Sequence, residues 1–230
     1  MPRSTSIDTR VLIVDDHPFM RRGVAQVIND QPGLVVCGEA GTAAEALKIM
    51  ETSAPQMAVV DISLGAESGI DLIQTIREKW PTTRILVSSM HDETLFAERA
   101  LRAGALGYIN KGDPPGVFVT ALERVHSGQI YLSERMTKRM LDQVLTDKVE
   151  FKRSPIETLS NRELEVFEMI GNGLATKQIA ARLSLSPKTI ETYREHIKQK
   201  LNLANATELT RSAVQWVLEE GRQPAGEDPS

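Results

Sequence analysis

Cysteine is nearly absent from this sequence: Cys37 is the only one in 230 residues. A disulfide framework and a cysteine-ligated metal are both excluded by that count. Cys37 sits in the apolar run Leu34 to Cys37 and is expected to be a buried strand residue. Long apolar stretches are lacking too, since nowhere do about 18 apolar residues follow one another, and Met1 to Arg10 holds no run of signal-peptide length. No membrane association is expected, and a cytoplasmic location is. Strong charge of one sign is missing, with a formal net charge of −4, so any surface for nucleic acid must be local to one element. No internal repeat supports a solenoid. What remains is ordinary globular composition, 41% hydrophobic and 25% charged, in a length that suits two modest cores.

The first core is legible from residue 9 to about 130. Short apolar runs, Val11–Val14, Leu34–Cys37, Met57–Val60, Ile85–Val87 and Leu106–Ile109, are bounded by Gly, Pro, Asp or Ser and followed by amphipathic segments. That alternation predicts five βα units around a parallel sheet. Pro114 and Pro115 suit the opening of the last helix, where a missing N–H costs nothing. Residues 131–157 read as a linker containing one connecting helix, from Ser133 to about Val144. A purely helical region follows at 158–221, and the Pro-, Gly- and acid-rich tail 222–230 is expected to be disordered.

In an open parallel sheet, functional groups gather beyond the carboxyl ends of the strands, where strand order reverses. The first run ends in Asp15 and Asp16, the third in Asp61, the fourth in Ser88 and Ser89, and the fifth in Tyr108 with Lys111 shortly after. The second ends in Gly38, as an edge strand outside the site would. Three carboxylates, a hydroxyl and an ammonium are thus predicted to share one crevice. Carboxylates that close repel one another, and the usual remedy is a hard divalent cation with oxygen ligands, Mg2+ above all. A carboxylate beside such an ion can accept a phosphoryl group while the cation and a lysine neutralise the oxygens in transfer.

Together, VLIVDDHP (Val11 to Pro18), VDISL (Val60 to Leu64), VSSMHD (Val87 to Asp92) and GYINK (Gly107 to Lys111) resemble the receiver domain of response regulators. The resemblance implies a flavodoxin-like, doubly wound fold with Asp61 as phospho-acceptor. It implies Mg2+ held by Asp15, Asp16, Asp61 and the backbone carbonyl of Ser63, and Lys111 on the acyl phosphate. Of the two serines it selects Ser89, which would swing toward a phosphoryl oxygen as Tyr108 turns inward, reshaping the last two βα units. It gives His17 no chemistry, so a structural place beside the acids is expected. Ser63 and His91, two residues beyond Asp61 and Ser89, are expected to tune phosphate lifetime. Gly65 departs from the pattern, because many receivers carry Pro in that loop.

In the helical region, Ser160-Asn161-Arg162-Glu163 is a capping box opening a helix that Gly171 and Gly173 stop. Thr176 begins a shorter helix, and a tight turn leads to Pro187 as the first residue of a third. On that third helix Ile190, Tyr193, Ile197 and Leu201 recur at core spacing, leaving Lys188, Glu191, Thr192, Glu195 and Gln199 opposite. A polar face on the second helix of a tight pair is the geometry that enters a DNA major groove. The stretch from Leu159 to Val217 resembles the C-terminal domain of the LuxR/NarL family, and with the receiver it indicates the NarL/FixJ class of response regulators. By that resemblance Lys188, Glu191, Thr192 and Glu195 face bases, while Lys177, Thr189, Arg194 and Lys198 approach phosphates. Glu191 is expected to accept from cytosine N4 and so read a C·G pair. A fourth helix opens at Asn205 to Glu208 and bears the stripe Leu209, Ala213, Trp216 and Val217; the resemblance implies a dimer contact on this helix, while part of the stripe, Trp216 above all, is expected to be core.

The function implied is a two-component response regulator. A sensor histidine kinase would phosphorylate Asp61, and the protein would pair as a homodimer on a double-stranded DNA operator and act on RNA polymerase. No enzyme activity is implied beyond its own phosphoryl transfer and autodephosphorylation. Two other classes fare worse. Haloacid-dehalogenase-like phosphatases need a second Asp two residues after the nucleophile, where this chain has Ser63. A ligand-sensing LuxR regulator needs an aromatic-lined pocket, against 4% aromatic residues here.

Overall fold

The computed structural model describes residues 8–145 and 155–221. Contacts divide the chain into two compact units, 1–145 and 146–230. The expected tail 222–230 and residues 146–154 of the expected linker lie outside the described residues.

The first unit is an α/β fold. Strands β1 (Thr9–Val14), β2 (Leu34–Ala40), β3 (Met57–Val60), β4 (Arg84–Ser89) and β5 (Gly107–Asn110) form one parallel sheet in the order β2-β1-β3-β4-β5. Order reverses between β1 and β3, so the crevice beyond their carboxyl ends is the expected site. Helices α1 (Pro18–Asn29) and α5 (Pro115–His126) cover one face, where Ile28, Phe118, Ala121, Leu122 and Val125 meet Val11, Ile13, Val59 and Leu86. Residues of opposite parity, such as Leu12, Ala58 and Ile85, are equally buried. They face the side of α2 (Ala43–Ser53), α3 (Gly69–Lys79) and α4 (Glu93–Ala103). Burial on both faces is why the strands read as continuous apolar runs.

Three features depart from the sequence reading. β2 runs past Gly38 to Ala40, with a register irregularity opposite Val11 and Leu12, and Cys37 on this edge strand is only partly buried. Between β3 and α3 the chain folds a two-residue hairpin, Ser63–Leu64 against Glu67–Ser68, with Gly65 at φ +57° in its turn. After α5, Tyr131 pairs with Gly107, its carbonyl accepting from Tyr108 N at 3.0 Å. The expected connecting helix, α6 (Glu134–Leu145), groups with the first unit.

The second unit is helical: α7 (Asn161–Gly171), α8 (Thr176–Arg182), α9 (Pro187–Lys200) and α10 (Ala206–Gly221). Ser160 and Glu163 close the expected capping box on α7. Ser186 caps α9, with Thr189 N donating to its hydroxyl at 3.0 Å. α10 lies against α7 and α9, so close that a Cβ on Gly171 would overlap the Ala213 carbonyl and Val217.

Candidate functional site

The ends of β1, β3 and β5 bring Asp15, Asp16, Asp61 and Lys111 together. Lys111 Nζ lies 2.6 Å from Asp15 Oδ2 and 2.6 Å from Asp61 Oδ2, and all three side chains are almost wholly buried. Burial pushes the Asp61 carboxyl above its usual range, against the pull of Lys111. Burial also opposes the Lys111 charge, but Asp61 and Asp15 outweigh it and hold the ammonium above its usual value. Asp15 accepts from His17 N at 2.8 Å, and its own carbonyl accepts from Arg21. Gly65 N–H donates to Asp16 Oδ2 at 3.0 Å. A proline there has no N–H to give, so the departure noted in the sequence supplies a donor to the acidic pocket.

Ligand atoms of Asp15, Asp16, His17 and Asp61 all lie within 4.8 Å of one another. Asp16 Oδ1 is buried with no hydrogen-bond donor of good geometry, although His17 Nδ1 stands 2.6 Å away. An under-satisfied carboxylate oxygen among other carboxylates fits a hard divalent cation. Ser63 is half-buried, with its N–H 3.4 Å from Asp61 Oδ1.

Behind the acids, Ser89 and Tyr108 are buried. Ser88 opens onto a groove of about 240 Å3 between α1 and α5, whereas Ser89 alternates to the other face. His91 joins these groups. Its ring nitrogen Nε2 is 2.9 Å from Ser63 Oγ, its N–H donates to Ser89 Oγ at 3.3 Å, and its carbonyl accepts from Tyr108 OH at 3.0 Å and from Asn110 Nδ2 at 3.2 Å. Motif spacing located His91 but not this bridging position. Gly69 was missed altogether. A Cβ there would overlap the Asp61 carbonyl oxygen, so α3 can begin against the acceptor strand only with glycine.

In the second unit Lys177, Lys188, Glu191, Thr192 and Glu195 are exposed, and Thr189, Arg194 and Lys198 are partly so. Glu191 Oε1 accepts from Thr176 Oγ1 at 2.8 Å, a partner the sequence did not suggest, and Arg194 Nε stands 3.7 Å from Oε2. Lys198 Nζ is 2.9 Å from Glu195. The dimer stripe needs correction. Leu209 and Ala213 are 0% exposed, Trp216 packs its ring against Phe167 in a tilted pair with centroids 5.4 Å apart, and Val217 abuts Gly171. These four pack α10 onto its own unit. The exposed positions of α10 include Arg211, Gln215 and Leu218.

Residues 11–123 match the family described as "Response regulator receiver domain", and residues 157–213 match "Bacterial regulatory proteins, luxR family". The response regulator UvrY of Escherichia coli (strain K12) is 34% identical over 209 residues, covering 90% of this chain and 94% of UvrY. The crystal structure of a LuxR-family two-component response regulator from Aurantimonas sp. SI85-9A1 matches with a TM-score of 0.56 at 33% identity, over 60% of this chain and 99% of that one. RcsB from Salmonella enterica serovar Typhimurium, solved on promoter rprA with the phosphomimetic BeF3-, shares the fold at a TM-score of 0.58 and 23% identity, over 90% of this chain and 98% of RcsB. Among the described residues no helix is long and apolar enough to cross a membrane. An acidic crevice at the switch point of a parallel sheet, followed by a helix-turn-helix unit and matched across nine-tenths of its length by UvrY, places this chain in the NarL/FixJ family of two-component response regulators.

Proposed function

We propose that Asp61 accepts a phosphoryl group from a sensor histidine kinase and that the modified receiver controls binding of the second unit to operator DNA. The observation that carries this is Asp61 itself, buried yet held 2.6 Å from Lys111 beside Asp15 and Asp16. The Asp61 carboxylate attacks phosphorus, the P–N bond of the donor phosphohistidine breaks, and the ring, protonated on its other nitrogen, takes the electron pair and leaves as neutral imidazole. Lys111 neutralises a phosphoryl oxygen. Autodephosphorylation reverses the gain: water attacks phosphorus, the acyl phosphate bond breaks, and inorganic phosphate departs. Asp15, Asp16, Asp61 and the Ser63 carbonyl would hold Mg2+, which when bound spreads the charge of the oxygens in transfer. Ser89 follows the phosphate and Tyr108, tied through His91, registers the change.

On this reading residues 9–130 are the receiver, 131–157 the linker and 158–221 the DNA-binding domain, in a cytoplasmic regulator of transcription. Of the four residues expected to face bases, Lys188, Thr192 and Glu195 keep that role and Glu191 stands at the edge of the same face, bonded by Thr176, while Lys177, Thr189, Arg194 and Lys198 approach phosphates. Because the apolar stripe of α10 is spent on its own core, homodimer contact falls to the outer face carrying Leu218, and contact with RNA polymerase follows on the operator. The test is incubation with a small-molecule phosphodonor and Mg2+, read by intact mass, together with DNA binding in beryllofluoride. Wild type should gain one phosphoryl group and bind operator more tightly. Asp61→Asn should do neither, and equal behaviour of the two proteins would refute the switch.

A further inference from the structure

We infer that Glu195 is the acid of α9 that reads a base, and that the base is a cytosine whose amino group it accepts from. The inference rests on the DNA-binding reading above and moves the cytosine contact from Glu191, where the sequence reading put it, to Glu195. Ile190 and Ile197, both 0% exposed, mark the buried pole of α9. At about 100° per residue, the opposite pole runs through Lys188, Thr192, Glu195 and Gln199, and all four are exposed. Glu191 falls about a quarter turn from Ile190, on the flank where Thr176 of α8 donates to Oε1 and Arg194 stands near Oε2. Both of its oxygens face donors from the protein, which makes Glu191 a strut between α8 and α9. Glu195 is different. Oε1 pairs with Lys198, Oε2 meets no partner among the described residues, and the side chain is 58% exposed.

The chemistry of the groove then selects the base. A carboxylate only accepts. Guanine shows it two acceptors, thymine an acceptor and a methyl group, and adenine sets the N7 acceptor beside its amino donor, whereas cytosine offers a donor with no acceptor on the same edge. Lys198 beside Glu195 offsets part of the repulsion from phosphates as the helix enters.

The experiment uses the full chain in beryllofluoride and Mg2+, selected against a randomised duplex library, with single-position base variants then measured by anisotropy. Wild type should prefer C·G at one position of each half-site by about tenfold. E195Q should move that preference to A·T, because glutamine pairs with adenine N6 and N7. E191Q, which keeps an oxygen for Thr176, should retain the wild-type order of bases. Replacing the preferred cytosine by pyrimidin-2-one, which lacks the amino group, should cost the wild type about as much as a base change, and this arm needs no variant to fold. The assignment is overturned if E195Q leaves every preference in place, if E191Q is the variant that moves one, or if the analogue binds at full affinity. A wild type that enriches no sequence would overturn the DNA-binding reading, and this assignment with it.

Discussion

The pocket at Asp61 and the outer face of α9 both set carboxylates beside ammonium groups, and the same chemistry does opposite things in the two places. In the pocket, Lys111 is 3% exposed and its partners Asp15 and Asp61 are 6% and 5% exposed. On α9, Glu195 is 58% and Lys198 19% exposed. Charges taken out of water depend on one another, while charges left in it are nearly independent. The pocket should therefore report mutations as changes in stability, and the helix face should report them as changes in binding.

The contrast is tested hardest at Lys111. Lys111→Ala leaves Asp15 and Asp61 facing each other without a cation, and removing one partner of a buried pair costs about 3–5 kcal/mol. The two tryptophans allow the units to be followed separately, since Trp80 lies in the first and Trp216 in the second. With Trp216→Phe in place, thermal unfolding in EDTA should show that destabilisation, and added Mg2+ should restore more stability to Lys111→Ala than to its parent. Equal stability in EDTA would show that the pair is not coupled as its distances indicate. Next in size is Gly69→Ala. The added methyl meets backbone of the acceptor strand rather than a side chain able to swing away, so about 3 kcal/mol is expected, with slower phosphoryl incorporation as Asp61 shifts.

Gly69 also shows where the sequence stops being informative. The strand ends were legible because burial on both faces leaves an apolar run, and the first polar residue after it marks the rim. That rule found Asp15, Asp16 and Asp61 but left Ser88 and Ser89 equal, and only the resemblance to receivers chose Ser89. A glycine required by close approach looks like any other glycine. The hairpin at Ser63 to Ser68 was invisible because strands of two residues carry no periodicity. β2 outran its apolar run because an edge strand tolerates Gly38 and Glu39. The stripe Leu209, Ala213, Trp216 and Val217 was ambiguous for a different reason: a core and a dimer contact both ask for apolar residues at helical spacing, and only the position of α7 decides between them. The sequence reading gave the cytosine contact to Glu191 because nothing in the pattern of α9 shows that Thr176 of α8 bonds to it.

Glu163 sits between the two extremes and sharpens the contrast. It accepts from Lys200 Nζ at 2.6 Å and from Ser160 N at 2.7 Å, with Glu163 5% and Lys200 40% exposed. Burial alone would raise its carboxyl, but Lys200 and Ser160 outweigh burial and hold it below the usual value of 4.5. A depressed folded value means stability that is present above the unfolded value and is lost as pH falls through the folded one. Glu163→Gln keeps an oxygen for Ser160 and removes only the charge. In a Trp80→Phe background, read at Trp216, it should cost about 1 kcal/mol at pH 7, discounted for the exposure of Lys200. The gap between variant and parent should close as pH drops below 4.5. A gap that widens in acid would reverse the sign assigned to this pair.

The smallest effect on stability belongs to Lys198→Gln, which keeps most of the aliphatic stem and removes the charge next to Glu195. An exposed pair three residues apart on one helix is worth little, so unfolding at Trp216 should move by less than about 0.5 kcal/mol. Binding should move more. Taking one cation away from the DNA phosphates lowers the slope of log affinity against log salt by about 0.9, so the variant should bind with a shallower salt dependence and an unchanged order of base preferences. If Lys198→Gln instead destabilised the second unit by more than about 1 kcal/mol and left the salt slope alone, Lys198 would be acting as Lys111 does. A shallow slope with intact folding would show that the exposed pairs of α9 are spent on DNA and the buried pair of the receiver on holding Asp61 ready.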